Sequence, residues 1–315
     1  MQRTEKLSIG VVCGGPSAEA EVSRVSGRNV ANALLATYTN VTIFELDRNI
    51  GKALTKAKID VVFPVLHGPP GEDGTFQGFL EIMQIPYVGS GVHASSCAMD
   101  KIVAKQIFRA YGLPVAQDVV ICRNEGTSTA VERVTNALGL SIVVKPSRQG
   151  SALGVFLKDE VKVIEEAIDQ AFQYDERVLI EKYIKGKEIT VAILDQGREE
   201  ALPIIEILTP DGSWYDYKHR YTPGLSEHLI PAQLPVDQYH RTREIAVMAH
   251  KALRCRDLSR VDFIVPVQGD PIVLEVNTIP GMTPTSLYPE AAQAAGISFE
   301  ELVAYLVDLA FKRST

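Results

Sequence analysis

Hydrophobic runs and amphipathic stretches alternate through the first hundred residues. The runs "LSIGVVC", "VTIFEL" and "DVVFPVL" predict buried strands, and "EAEVSRVSGRNVANALL", between the first two, has the apolar spacing of a helix. Strands that alternate with helices form parallel sheets with helices on their faces. The Gly-rich turns "GGPS" and "HGPPGEDG" follow predicted strands, at the sheet edge where open α/β sheets bind ligands.

The pattern changes after residue 100. The helix-like stretch "MDKIVAKQIFRAYGLPV" precedes "SIVVKPSRQGSALGVFLK" and "RVLIEKYIKGKEITVAILD", and each of these reads as two strands joined by a turn. We therefore expect an α+β unit with antiparallel hairpins. The last segment predicts strands around 201–208, the helix "DQYHRTREIAVMAHKAL", a further hairpin and two terminal helices.

This organisation predicts three domains, bounded at residues 1–100, 101–187 and 188–315. The stretch from about Asp211 to Gln233 shows no regular pattern. Loops of that length are uncommon in compact domains unless they are functional. We expect this one to close over a site.

Composition narrows the class of protein. Of 315 residues, 46% are hydrophobic and 23% charged, which is typical of a globular protein. The net charge of -7 argues against a large nucleic-acid surface but permits a local basic pocket. With no apolar run of about 20 residues and no cleavable signal pattern, the expected location is the cytoplasm. The four cysteines have no C-x-x-C pairing, so we expect reduced thiols.

The stretch "RVDFIVPVQGDPIVLEVN" carries an unusual polar pattern for a hairpin. A turn at Gln268-Gly269 would set Asp262 opposite Glu275 and Arg260 opposite Asn277, all on one face. The other face would then carry apolar residues, namely Val261, Phe263, Leu274 and Val276. Facing carboxylates repel unless a positive charge lies between them, and such oxygen ligands suit Mg²⁺. A solvated polar strand face would show the same alternation, so both interpretations stay open.

Seven motifs in order resemble the D-alanine–D-alanine ligases of the ATP-grasp superfamily. They are "GGPSAEAEVS", "HGPPGEDGTFQGFLE", "MDK", "VVKPSRQGSALGV", "IEKYIKGKEITVAIL", "RVDF" and "LEVNTIPGMTPTSL". The resemblance implies a three-domain ATP-grasp fold with an N-terminal parallel sheet. It also implies ATP-dependent joining of two D-alanines through a D-alanyl phosphate, for peptidoglycan precursor synthesis. It further implies two Mg²⁺ ions, with Mn²⁺ as a substitute, possible activation by a monovalent cation, and a homodimer.

The resemblance assigns residues to the metal and the nucleotide. Asp262, Glu275 and Asn277 would hold Mg²⁺. The residues assigned to ATP are Lys101, Lys145, Glu181, Lys182, Tyr183, Ile184, Glu188, Trp214 and Arg220. Among them, the two lysines would contact phosphates, 181–184 would line adenine, and Glu188 would accept from ribose hydroxyls. Read singly, such lysines are usually solvated and a lone tryptophan is usually core.

The resemblance also assigns residues to the amino-acid substrates. Those expected around the first D-alanine and the reacting centre are Glu21, Ser151, Tyr221, His67, Arg260 and Gly281. The first three form a hydrogen-bonded group in the family, and the last two stabilise negative charge. Ser286 and Leu287 fit the pocket for the second D-alanine. Read without the resemblance, a helix-surface glutamate is usually solvated and a lone histidine usually structural.

One departure bears on the acceptor substrate. The family's D-alanine-specific members usually have Lys-Tyr on the closing loop, and this chain has Arg220 and Tyr221, which keeps the charge but changes its geometry. The tyrosine argues against D-lactate and leaves D-serine or another acceptor open. A non-catalytic nucleotide-binding relative would be expected to lack the metal ligands or Arg260, and both are present.

Overall fold

The computed structural model describes residues 6–150, 156–158, 161–209 and 224–313. Within these ranges the chain has the expected mixed α/β architecture, built on three sheets. The strands are β1 Ser8–Cys13, β2 Asn40–Glu45, β3 Val61–Pro64, β4 Asp118–Cys122, β5 Ile142–Pro146, β6 Phe156–Lys158, β7 Arg177–Lys182, β8 Lys187–Asp195, β9 Glu199–Ala201, β10 Ile205–Leu208, β11 Glu227–Leu229, β12 Leu258–Val265 and β13 Ile272–Asn277. The helices are α1 Ala20–Leu34, α2 Ile50–Ala57, α3 Thr75–Met83, α4 Val92–Met99, α5 Lys101–Ala110, α6 Thr127–Leu138, α7 Val161–Ala171, α8 Val236–Ala252, α9 Leu287–Ala294 and α10 Phe299–Lys312. Across the described ranges, no helix has both the length and the apolar character that crossing a membrane requires.

The N-terminal sheet is parallel, with the order β2-β1-β3, as the sequence predicts. Its central strand is apolar on both faces: Ile9 and Val11 enter one hydrophobic core and Val12 enters another. The first of these cores also contains Leu302 and Leu306 of α10. The C-terminal helix of the described chain therefore packs on the N-terminal sheet, and the three-domain division stays a prediction.

Two antiparallel sheets make up the rest. One has four strands in the order β4-β7-β5-β6, and the other has six, including β11-β10-β8-β12-β13 with β9 beside β8. Strands β7 and β8 were expected to form a hairpin, but they lie in different sheets, so residues 183–186 cross from one sheet to the other. The segment expected to lack regular structure also contains a strand, β11, which pairs with β10.

The hairpin of β12 and β13 pairs in the predicted register at one end. Asp262 faces Glu275 and Arg260 faces Asn277. The register then shifts, and Phe263 faces Val273. The expected placement of Leu274 beside Phe263 on the core face is therefore wrong, because a β-bulge gives that position to Val273. Helix α8 covers the core face of this sheet, which leaves the polar face of the hairpin turned toward a cavity.

Candidate active site

A cavity of about 360 Å³ lies where the N-terminal sheet, the start of α5, the hairpin and the loop before α9 meet. Several of the predicted site residues line it, namely His67, Lys101, Arg260, Glu275, Asn277, Gly281, Ser286 and Leu287. Other residues of its wall were not predicted, and the polar ones include Glu19, Glu72 and Gln149. Residues from distant parts of the sequence therefore line one cavity, whose volume is within the range of ligand pockets.

The facing carboxylates of the hairpin are each paired with a cation. Arg260 donates to Asp262 from Nε at 2.9 Å and from Nη2 at 2.7 Å, a bidentate pair, and Thr190 Oγ1 donates to Asp262 at 2.6 Å. Lys101 Nζ lies 3.3 Å from Glu275 Oε2. Without these cations the two facing carboxylates would destabilise the strand pair. The cations therefore allow two carboxylates to lie side by side in the polar face of the hairpin.

The polar face of the hairpin has the oxygen ligands of a hard-cation site. Asp262 and Glu275 supply carboxylates, and Asn277 supplies an amide oxygen that accepts a hydrogen bond from Ile279 N at 3.0 Å. No group of three or more His, Cys, Asp or Glu side chains in the described part of the chain is arranged as a metal site. Two carboxylates and an amide oxygen would nevertheless suit a magnesium ion, because Mg²⁺ in nucleotide sites usually takes only one or two protein carboxylates.

Lys145 and Glu181 lie on the central sheet and contact each other. The Glu181 carboxylate is paired with Lys145 Nζ and with Lys105 Nζ. Burial raises the pKa of Glu181, but the two lysines outweigh it and hold the pKa at about 2. Burial lowers the pKa of Lys105 to about 8, so it is still cationic at neutral pH. The Glu181 side chain is therefore an ionised partner of these lysines, only 3% exposed.

The predicted adenine segment occupies the crossing between the two antiparallel sheets. Lys182 and Tyr183 are exposed and Ile184 is half-buried, and their side chains do not line the cavity. Glu188 is half-buried on β8, two residues before Thr190, and so shares the hairpin's polar face. The expectation that 181–184 bind adenine through the backbone remains a prediction.

Glu21 lies outside the cavity, contrary to the role expected for it. Its side chain is 71% exposed and forms ion pairs with Arg24 at 3.1 Å and Arg28 at 3.6 Å on the outer face of α1. The assignment of Glu21 to the first D-alanine is corrected on this ground, because a side chain facing solvent cannot contact a ligand in the cavity.

Glu19, two residues earlier, lines the cavity and is 7% exposed. It occupies the N-cap position of α1. A Cβ atom on Gly150 would lie 3.3 Å from Glu19 Oε2, so the absence of a side chain lets the loop after β5 approach this carboxylate. Helical periodicity in the sequence favours Glu19 over Glu21 for this role. Ser23, Gly27 and Val30 lie on the same buried face as Glu19.

His67 and Glu72 form a buried titratable pair of residues in the cavity wall. Nε2 of His67 has no hydrogen-bond partner among the described residues, and burial lowers the pKa of this imidazole, so it is neutral at neutral pH. Glu72 accepts a hydrogen bond from Gly68 N at 2.7 Å. Burial, reinforced by Glu19, raises the pKa of Glu72 to about 8. The two groups thus present a neutral, polar surface in the ligand-free protein.

The loop before α9 brings Gly281 and Ser286 together. Ser286 Oγ accepts from Thr283 N at 3.0 Å and is hydrogen-bonded to Thr283 Oγ1 at 2.7 Å. A Cβ on Gly281 would lie 2.8 Å from Ser286 Oγ, so a side chain at this position would displace the Ser286 hydroxyl. Ser286 is also the N-cap of α9, and Leu287, its first residue, is buried. The predicted acceptor residues therefore form a fixed end of the cavity.

Four predicted residues, Ser151, Trp214, Arg220 and Tyr221, lie outside the described residues. Their roles stay predictions of the sequence.

The sheets and the acidic hairpin facing Lys101 are those of the ATP-grasp ligase class. The family model described as "D-ala D-ala ligase C-terminus" matches residues 107–308, and the "D-ala D-ala ligase N-terminus" model matches 47–90. The chain belongs to the D-alanine–D-alanine ligase family.

Individual relatives are similar to this chain over nearly its whole length. The D-alanine–D-alanine ligase of Pelotomaculum thermopropionicum is 44% identical over 311 residues, covering 97% of each chain. That of Geotalea uraniireducens is 46% identical over 295 residues, covering 94% of this chain and 93% of the relative. The Bacillus anthracis enzyme complexed with ATP is similar in structure, with a TM-score of 0.82, 34% identity and 98% of each chain covered. The VanG D-Ala:D-Ser ligase of Enterococcus faecalis has a TM-score of 0.83 at 30% identity, covering 97% of this chain and 99% of its own.

Proposed function

We propose that this chain joins two D-alanines into D-alanyl-D-alanine with the conversion of ATP to ADP and phosphate. The observation that carries the proposal is that Glu19, the cation-covered hairpin and Ser286 line the same cavity. These groups suit the three parts of the reaction, namely an amino-acid ammonium, a phosphoryl group and the carboxylate of a second amino acid. Curated relatives at 43–46% identity carry the name of this activity.

The first D-alanine would place its ammonium against the Glu19 carboxylate. Beside it, burial lowers the pKa of His67 and raises the pKa of Glu72 to about 8, so neither of these two side chains carries a full charge at neutral pH. A buried carboxylate in such a setting binds an ammonium group strongly. The substrate carboxylate would then point toward Arg260, where phosphorylation makes it an acyl donor.

Arg260 would stabilise the negative charge that develops on the acyl phosphate and on the tetrahedral intermediate. Its bidentate pair with Asp262 fixes the plane of the guanidinium at the cavity wall before substrate arrives. Preorganised charge of this kind needs no rearrangement during the reaction, which is why it lowers the barrier. The backbone N–H of Gly281, next to Ser286, is the predicted second donor.

Lys101 and Lys145 would contact the phosphates, and Asp262, Glu275 and Asn277 would hold Mg²⁺. The metal, when bound, neutralises charge on the phosphates. Lys101 already spans the hairpin and the loop after β5, since it donates to Gln149 O at 2.6 Å. The second D-alanine would bind with its carboxylate at Ser286 and its methyl group near Leu287, which brings its amine to the acyl carbon.

The test is a panel of amino acids assayed for ATP-dependent phosphate release, with products identified by mass spectrometry. D-alanine alone should give phosphate and D-alanyl-D-alanine in equal amounts. D-alanine with D-serine or D-lactate should give little mixed product in competition. Release of phosphate without any dipeptide, or a dominant mixed product, would contradict the proposal.

Location and assembly rest on the family resemblance. We propose a homodimer that acts in the cytoplasm. Light scattering of the purified chain measures its mass directly, and a mass near twice the 34.5 kDa of one chain is expected. A single-chain mass at micromolar concentration would contradict the dimer.

A further inference from the structure

Helix α5 carries a stripe of cationic residues on one face. Lys101, Lys105 and Arg109 are spaced by four residues and therefore lie on the same side of the helix. Lys101 reaches Glu275 on the hairpin, and Arg109 is paired with Asp118 on β4. Lys105, between them, is 4% exposed, and lysine is seldom so buried unless it is paired. The proposed reaction does not use it.

Lys105 faces two carboxylates that lie side by side in the central sheet. Glu181 on β7 is directly opposite Asp118 on β4. Like charges in that position destabilise a sheet, and both side chains are nearly fully buried. Lys105 Nζ is paired with Glu181 and lies 3.6 Å from Asp118 Oδ1. Asp118 is also paired with Arg109, so the loss of Lys105 would affect the charge balance of Glu181 more than that of Asp118.

Glu181 is shared between Lys105 and Lys145. Its Oε1 is paired with the ammonium of Lys105, and its Oε2 with the ammonium of Lys145. The two lysines differ in access, since the side chain of Lys105 is 5% exposed and that of Lys145 is 13% exposed. A phosphate can therefore reach Lys145 more readily, and Lys105 remains behind with the carboxylate.

We propose that Lys105 is a positioning residue for nucleotide binding: it keeps Glu181 neutralised, so that the ammonium of Lys145 can be given to an ATP phosphate. If Lys105 were absent, Lys145 would be the only cation among the described residues that is paired with this buried carboxylate. An unpaired buried carboxylate is strongly unfavourable, so Lys145 would stay on Glu181. This inference rests on the proposed contact of Lys145 with phosphate, and on no other part of the proposed function.

The test measures binding of nucleotide directly by calorimetry, with a non-hydrolysable ATP analogue and Mg²⁺ and without any amino acid. Lys105→Met should raise the Kd for the analogue about tenfold or more and leave the Kd for adenosine unchanged, because adenosine has no phosphate. Lys105→Arg should restore most of the affinity. Arg109→Met, on the same stripe but 45% exposed in its side chain, is the matched control and should change the Kd less than twofold.

The double variant distinguishes positioning from general damage. In Lys105→Met/Glu181→Gln the carboxylate charge is gone, so Lys145 no longer needs to be released, and the analogue should bind as it binds to Glu181→Gln alone. This comparison also holds if Lys105→Met by itself does not fold. A tenfold difference between those two variants overturns the inference, as does an equal loss of adenosine and analogue affinity in Lys105→Met.

The readout separates this inference from the proposed function. A chain that binds the analogue but makes no D-alanyl-D-alanine would contradict the ligase proposal and still allow the Lys105 comparison. Wild-type affinity for the analogue in folded Lys105→Met would refute the positioning role even in an active ligase.

Discussion

Replacing Glu19 by glutamine should impair the enzyme, and the same change at Glu21 should not. Both residues lie in "AEAEVS" at the start of α1, so they form a matched pair. Glu19 is 7% exposed in the cavity wall, whereas the side chain of Glu21 is 71% exposed among arginines. Glutamine keeps the volume of glutamate and removes its charge, so each variant tests the charge alone.

The expected magnitude follows from these surroundings. A hydrogen bond between charged groups in a buried site contributes about 1.5–3 kcal/mol. Since about 1.4 kcal/mol corresponds to a factor of ten, Glu19→Gln should raise the KM for the first D-alanine about 10- to 100-fold. Exposed ion pairs such as those of Glu21 contribute about 0–1 kcal/mol to stability and do not touch the substrate. Glu21→Gln should therefore leave both KM values within about twofold.

The assay is phosphate release against D-alanine concentration, fitted with separate KM values for the two sites. Thermal midpoints of both variants control for folding. A normal first KM in Glu19→Gln would remove Glu19 from the ammonium site. A large effect in Glu21→Gln, with Glu19→Gln active, would restore the assignment that the structure contradicts.

The other predictions concern the hairpin and a buried histidine. Glu275→Gln should lower turnover about 100-fold or more at saturating ATP and should require a higher Mg²⁺ concentration, with little change in thermal midpoint. Normal turnover at the Mg²⁺ concentration that suffices for the wild type would exclude Glu275 as a ligand. Arg260→Lys keeps the charge but loses the bidentate geometry, so kcat should fall about 10- to 100-fold while the KM for ATP changes little; a larger change in that KM than in kcat would contradict the assigned role. His250 is buried beside Ser259 with a pKa lowered to about 4 by burial, so its contribution to stability is complete above about pH 6.5 and is lost as the pH falls toward 4. Urea unfolding of His250→Gln at pH 7.5 and pH 5 should show a weaker loss of stability on acidification than the wild type, and an equal loss would contradict this.

Local alternation was enough to predict the register of the hairpin but not its bulge. The facing of Asp262 and Glu275 follows from a short turn and a period of two. The extra residue at Leu274 brings Val273 to the core beside Val276, on the side of the sheet that α8 covers. That packing involves residues far away in the sequence, so no local pattern could reveal it.

The wrong choice of Glu21 had a different origin. The helical period of α1 puts Glu19 on the buried side and Glu21 with the arginines, and this information was present in the sequence. The sequence contains no such signal for the position of Glu72. That position follows from a Gly-rich loop in close contact with its neighbours, since a Cβ on Gly71 would lie 2.3 Å from Leu66 Cβ. The separation of β7 from β8 was likewise beyond local analysis, since two strands joined by a short turn look the same whether or not they pair.

The cap of α5 explains how two parts of the site keep a common alignment. Asp100 accepts hydrogen bonds from Ile102 N and Val103 N at 3.2 Å each, and from Ser147 Oγ at 2.8 Å. The first two contacts begin the helix that carries Lys101 and Lys105, and the third holds the end of β5, the strand of Lys145. Because a buried N-cap with several partners restricts both elements, one side chain fixes the backbone that carries Lys101 beside the hairpin and the backbone that carries Lys145 beside Glu181. A nucleotide that bridged these lysines would therefore meet side chains that extend from fixed backbone positions, which lowers the ordering cost of binding.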